Sequence, residues 1–150
     1  MIEINGMAHV ILSVSRWEDC KPFYEGLLAF LGLKQVFAGE EMIYFVGGRT
    51  ALGVSRCAPE HAGERFRQNS VGLHHLCFRA RNRADVDAVQ AEVLRLGGHV
   101  VHAPEEGSWA PGYYSLLFED PCGTRLEINH VPGQGLLADG AAFAAGDDYR

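Results

Sequence analysis

The stretch "SVGLHHLCFRARNRADVDAVQAEVLRLGG", Ser70 to Gly98, decides the fold. Its hydrophobic period changes part-way along. Up to Ala80 the side chains alternate, with Leu76, Phe78 and Ala80 on one face and His75, Cys77 and Arg79 on the other. That is the period of a strand. Beyond it Val86, Val89, Val93 and Leu96 recur at helical spacing. Asn82 is placed to cap that helix and Gly97 to end it in a left-handed turn. The segment therefore reads as a strand feeding a helix, with His75 on the face turned away from the helix. By the same alternation His74 points to the opposite side, at a helix contact or the strand edge.

An upstream segment, "AHVILSVSRWEDCKPFYEGLLAFLGL", Ala8 to Leu33, has the same plan. Val10, Leu12 and Val14 form the apolar face of a strand. His9, Ile11 and Ser13 form the mixed face, so His9 corresponds to His75. A helical stripe follows at Phe23, Leu27, Phe30 and Leu31. Pro22 places the helix start close before it, with Asp19 as cap, because first-turn N–H groups lack intrahelical partners. Three short strands are expected after each helix: about 34–37, 41–46 and 50–55, then about 100–102, 113–118 and 124–130. Each half is then βαβββ. Within a single domain, 1–150, module 1 spans about 7–57, a polar linker 58–70, module 2 about 71–131 and a tail 132–150. The tail is rich in Gly and Ala and carries Leu136, Leu137 and Phe143. It is expected either to lack fixed structure or to pack on a partner subunit.

Composition narrows the function. Of 150 residues, 47% are hydrophobic and 21% charged, with a net charge of -6, which fits a soluble globular protein. No basic excess is available for nucleic acid or an anionic membrane. Cys20, Cys57, Cys77 and Cys122 stand singly, without a CxxC pair, which argues against a thiolate zinc site. The opening "MIEINGMAHV" has no secretory character and no apolar run is long enough to span a bilayer. A cytoplasmic protein with reduced thiols is expected.

A third functional group comes from "EDPCGTRLEINH", Glu119 to His130. Asp120-Pro121-Cys122-Gly123 suits a type I turn. In the strand after it Leu126 and Ile128 share the apolar face, and Arg125, Glu127 and Asn129 the other. Two imidazoles and one carboxylate converging on a cavity face form a ligand set for a divalent ion with positions left open for substrate. Arg79 and Arg125 on that face are candidate clamps for a substrate anion or carbonyl, or else partners in salt bridges. Ser13 and Cys77 face the same way as lining. The loop "HAPEEGSWAPGYY", His102 to Tyr114, brings Trp109 and Tyr113 as a lid or substrate wall.

The segments "MAHVILSV", "FYEGLLAFLGL", "GLHHLCFRA" and "FEDPCGTRLE", in this order and spacing, make the chain from Met7 to Val131 resemble the vicinal oxygen chelate superfamily, the glyoxalase, bleomycin resistance and extradiol dioxygenase proteins. The resemblance implies an α+β fold whose two βαβββ modules form an eight-stranded, incompletely closed barrel. It implies one divalent metal ion (Fe, Mn, Zn or Ni) on His9, His75 and Glu127. It also implies a small oxygenated substrate held to that metal and a homodimer. The reaction would be that of a lyase, isomerase, ring-opening oxygenase or fosfomycin-type transferase, with Glu127, Arg79 and Arg125 as catalytic candidates. The alternative is a non-catalytic binding protein of the bleomycin-resistance kind. In "TALGVSR", Gly53 stands where four-ligand relatives carry a Glu or Gln.

Overall fold

The computed structural model describes residues 1–144; positions 145–150 of the expected tail lie outside the described residues. The chain is α+β and packs as two compact units, Met1–Phe66 and a second beginning at Arg67. Each is a βαβββ unit, taken in turn.

In the first unit β1 is His9–Val14, α1 Trp17–Phe30, β2 Lys34–Ala38, β3 Met42–Gly47 and β4 Thr50–Arg56. The sheet order is β1-β4-β3-β2. β1 runs parallel to β4, as a strand joined to its sheet through a helix does, while β2, β3 and β4 form an antiparallel meander. Leu12, Val14, Ile43, Phe45, Leu52 and Val54 are buried with the apolar side of α1.

That helix departs from expectation at both ends. It begins at Trp17, so Asp19 lies in its first turn and pairs with Arg16 at 2.6 Å instead of capping. Pro22 is an interior residue. Burial of Trp17, 3% exposed, explains the earlier start: sinking a large aromatic outweighs the backbone bond that Pro22 cannot donate. The buried stripe is Trp17, Cys20, Phe23, Tyr24, Leu27 and Leu28, while Phe30 is half exposed and Leu31 sits at the C-cap.

In the second unit β5 is Leu76–Arg79, α2 Arg83–Arg95, β6 His99–Glu106, β7 Tyr114–Glu119 and β8 Arg125–His130. The order β5-β8-β7-β6 repeats the first sheet, again with one parallel pair, β5 with β8. α2 obeys its sequence signals. The Asn82 side chain accepts a bond from Asp85 N at 2.9 Å, Val86, Val89 and Val93 are buried, and Gly97 has φ +83°. Each buried valine contributes roughly 1.5 kcal/mol.

β6 runs further than the sequence indicates, to Glu106, and passes through Pro104. It is an edge strand whose pairing slips between Val100 and His102 and again between His102 and Glu105. A proline is tolerated at such an irregular edge because its missing N–H is not needed by a neighbour. The expected His102–Tyr114 loop therefore shortens to 107–113.

Candidate metal centre

The turn before β8 sets the register of the site. Gly123 N donates to Asp120 O at 3.0 Å, and the Asp120 side chain accepts from Cys122 N at 2.9 Å and Thr124 N at 2.8 Å. Gly123 has φ +90°, which a side chain would resist. From this anchor the strand alternates, burying Leu126 and Ile128 on one face and directing Glu127 and Asn129 to the other.

Glu127 is 1% exposed, and a carboxylate so deeply placed needs partners. Tyr113 Oη donates to its Oε1, and Asn129 Nδ2 donates to Tyr113 Oη at 3.1 Å. His75 Nε2 lies 3.4 Å from Oε2. Burial holds the Tyr113 phenol well above its usual range; the Asn129 bond opposes this and the Glu127 carboxylate adds to it. The phenol is thus a proton donor at neutral pH.

His74 is not turned away from this group. Its Nδ1 lies 2.7 Å from His75 Nδ1, and its Nε2 lies 2.9 Å from Gln68 Nε2. Regular strand geometry begins only at Leu76, so side-chain alternation does not govern the residues before it. With the Gln68 amide donating, His74 carries its proton on Nδ1 and His75 carries its own on Nε2, facing the carboxylate. Gln68, His74, His75, Glu127, Tyr113 and Asn129 form one continuous polar chain. Asn129 was legible in sequence as a residue of Glu127's face; the bond between the two imidazoles was not.

The donors fit a divalent ion. Two ligands each about 2.1 Å from one ion lie about 3.0 Å apart at a right angle and about 3.4 Å apart at the tetrahedral angle, and His75 Nε2 and Glu127 Oε2 stand 3.4 Å apart. Asn129 Oδ1 is buried without a partner among the described residues, a further sign of polar capacity beside the carboxylate.

The remaining expected residues divide. Arg79, Trp109 and Tyr113 line a cavity of about 470 Å³ together with His75 and Glu127. Arg125 does not line it; its guanidinium bonds Glu119 at 2.9 Å, the salt-bridge role. Cys77 lies opposite Glu127 in the β5–β8 register. Although the residue keeps accessible surface, crowding around the thiol, then the Glu127 charge, raise it well above its ordinary range. A thiolate nucleophile is disfavoured there. In the first unit His9 is exposed, with its ring 6.4 Å from that of Tyr44, and Ser13 Oγ is 3.4 Å from Ser55 Oγ.

The register also locates the counterpart of Glu127 in the first unit. Ile11 pairs with Gly53 as Cys77 pairs with Glu127, so Gly53 is the counterpart of the buried carboxylate. A Cβ at Gly53 would meet Met42 Cε at 2.9 Å, Tyr44 Cδ2 at 3.0 Å and Ile11 Cγ1 at 3.1 Å. The space for a side chain is already filled.

Two βαβββ units of the same strand order, the second with an imidazole beside a buried carboxylate, are the pattern to compare with known proteins. Residues 6–128 match the Glyoxalase/Bleomycin resistance protein/Dioxygenase superfamily, and the chain belongs to it. It is 25% identical over 123 residues to the uncharacterized protein YqjT of Bacillus subtilis (strain 168), covering 81% of this chain and 96% of that one. Its fold is similar to a glyoxalase/bleomycin resistance protein from Albidiferax ferrireducens T118, with TM-score 0.67, 24% identity and coverage of 83% and 98%. It is similar also to the fosfomycin resistance protein FosX from Mesorhizobium loti, with TM-score 0.60, 21% identity and coverage of 86% and 94%. At such identities the likeness concerns fold; chemistry must be argued from the site. No helix among the described residues is long and apolar enough to cross a membrane.

Proposed function

We propose that the protein is a metal-dependent enzyme acting on a small oxygenated substrate, with one divalent ion (Fe, Mn, Zn or Ni) held by His75, Glu127 and His9. The observation that carries this reading is the buried Glu127 carboxylate with His75 Nε2 at 3.4 Å on the wall of a cavity. His9 is assigned as third ligand because its place on β1 repeats that of His75, whether it comes from the same chain or from a second copy in a homodimer. The bound ion would supply Lewis acidity for an enolate, alkoxide or other oxyanion developing on substrate.

The chain's own residues then have distinct tasks. To ligate, His75 would release its Nε2 proton to solvent and take over the proton of His74 Nδ1, so that its own Nδ1–H donates to His74 Nδ1, while His74 would take a proton from solvent on Nε2. His74 in turn presents Nε2–H to the Gln68 carbonyl, which requires that amide to turn over. Tyr113 holds one carboxylate oxygen of Glu127 so that the other is aimed at the ion. Arg79 meets an anionic oxygen of the substrate. Arg125, engaged by Glu119, stiffens the start of β8 and takes no part at the substrate. Gly53, packed against Met42, Tyr44 and Ile11, leaves a three-ligand site, which favours the fosfomycin-type or oxygenase-type branches over four-ligand lyases.

Metal analysis tests the reading. Protein purified without chelator and reconstituted with Mn²⁺ or Zn²⁺ is expected to hold one ion per chain, lost in His75→Ala and Glu127→Ala variants that remain folded. A wild-type protein that takes up no metal refutes it, and leaves the binding-protein reading of the same cavity.

A further inference from the structure

We infer that the substrate carries an apolar body, of the size of one or two rings, behind its oxygen-bearing head, and that the C-terminal segment 133–144 is the wall that selects it. The head's position rests on the metal-centre reading; the body rests on a separate observation.

That observation is the asymmetry of the cavity. Its polar residues His75, Arg79, Glu127 and Tyr113 come from the β5 segment, β8 and the 107–113 loop. Gln134 apart, the rest of the wall is apolar, with Trp109, Val131, Leu136, Leu137 and Phe143 prominent. Leu136, Leu137 and Phe143 are 47%, 86% and 62% exposed, so large apolar side chains are left uncovered around a single concavity. Its 470 Å³ lies within the range of pockets that enclose small organic ligands. A hydrophilic substrate would not cover this surface. A second copy of the chain is the weaker occupant, because interface cores are depleted of charge and this cavity holds a buried carboxylate.

The segment is built to lie there. Gly133 and Gly135 take φ of +60° and +57°, reversing the chain after β8 into the short turn Gly135–Leu137. A Cβ at Gly135 would meet Val131 Cγ1 at 3.1 Å, so the reversal needs glycine twice over. The far end is tied to the 107–113 loop: Ser108 Oγ donates to Ala144 O at 3.1 Å, and the Phe143 ring packs 5.1 Å from Trp109. The described part of the tail, 133–144, thus lies against its own module.

The test uses two probes that chelate through the same pair of oxygens, acetohydroxamate and benzohydroxamate, titrated calorimetrically into full-length Mn²⁺-loaded protein. Benzohydroxamate is expected to bind about thirtyfold tighter, from burial of its ring. The doubly substituted Leu136→Asn/Phe143→Ser protein, altered only at exposed positions, is expected to bring the ratio below about fivefold. Its metal content and acetohydroxamate affinity should not change. Equal affinities in metal-loaded wild type overturn the substrate class and leave the metal centre standing. If the protein takes up no metal, the metal reading fails separately, and benzoate then probes the wall alone: saturable binding lost in the double variant supports the inference, and no binding overturns it. A change of oligomeric state in the variant with an unchanged probe ratio makes the segment a subunit contact and also overturns it.

Discussion

Exchanging Tyr113 for Phe removes one oxygen atom beside the buried Glu127 carboxylate. The ring stays, so no cavity opens. Glu127 Oε1 loses a donor and Asn129 Nδ2 loses its acceptor. A hydrogen bond to a charged group is worth about 1.5–3 kcal/mol, and a neutral one about 1 kcal/mol. Tyr113 is only half buried, so water recovers part of this loss, and a destabilisation of about 2 kcal/mol is expected. In urea the midpoint should fall by about 1 M with an unchanged slope. A double-mutant cycle with Glu127→Leu, which removes the acceptor, isolates the bond and should give a coupling above about 1 kcal/mol. Metal affinity should fall about tenfold or more, since the carboxylate loses its orienting partner. A loss below about 0.5 kcal/mol, or strict additivity in the cycle, would refute the bond as the support of Glu127.

Gly53→Glu is expected to destabilise by about 1–3 kcal/mol, because Met42, Tyr44 and Ile11 must all shift; a fully stable variant with raised metal affinity would show instead that the slot accepts a ligand. His74→Ala should weaken metal binding about 10–100-fold while leaving the fold intact by circular dichroism, with partial recovery in His74→Gln. Unchanged affinity would show that His75 needs no holder. Asn82→Ala should cost about 1 kcal/mol in thermal unfolding through loss of the bond to Asp85 N, and no change would mean that another group caps α2. The His61 imidazole, bonded to Glu64 at 2.8 Å, should titrate above about 6.5 by NMR, since that bond and the Glu64 charge both raise it. The pair's stabilisation is then complete below the unfolded value and lost as pH rises through the folded one. Glu64→Gln should bring the titration down, and an unmoved midpoint would remove the pair from the account.

The β–α segments were legible because their signals are local. The Asn82 cap, the Gly97 stop and the Asp120–Gly123 turn each depend on a few neighbouring residues, and all three hold. The side on which Glu127 lies followed from Leu126 and Ile128 alone, through the two-residue pleat. Even the Gly53 equivalence could be read, since the two modules share one register. The start of α1 was misread because Pro22 was given more weight than Trp17, whose burial is a tertiary matter.

The two repeated units, the orientation of Glu127 and the absence of a side chain at its counterpart Gly53 are properties of the sequence by itself, carried by periodicity and by repetition. Which side chains meet is not. The bond from His74 to His75 depends on backbone that precedes regular strand geometry, where no period applies. The choice of Arg125 for Glu119 over the cavity, and the settling of Tyr113 on Glu127, are selections among partners far apart along the chain or equally available in it. The placing of Leu136 and Phe143 around the cavity follows from a chain reversal at two glycines and from ties to a distant loop. Periodicity assigns a side chain to a face; only tertiary packing chooses its neighbour on that face.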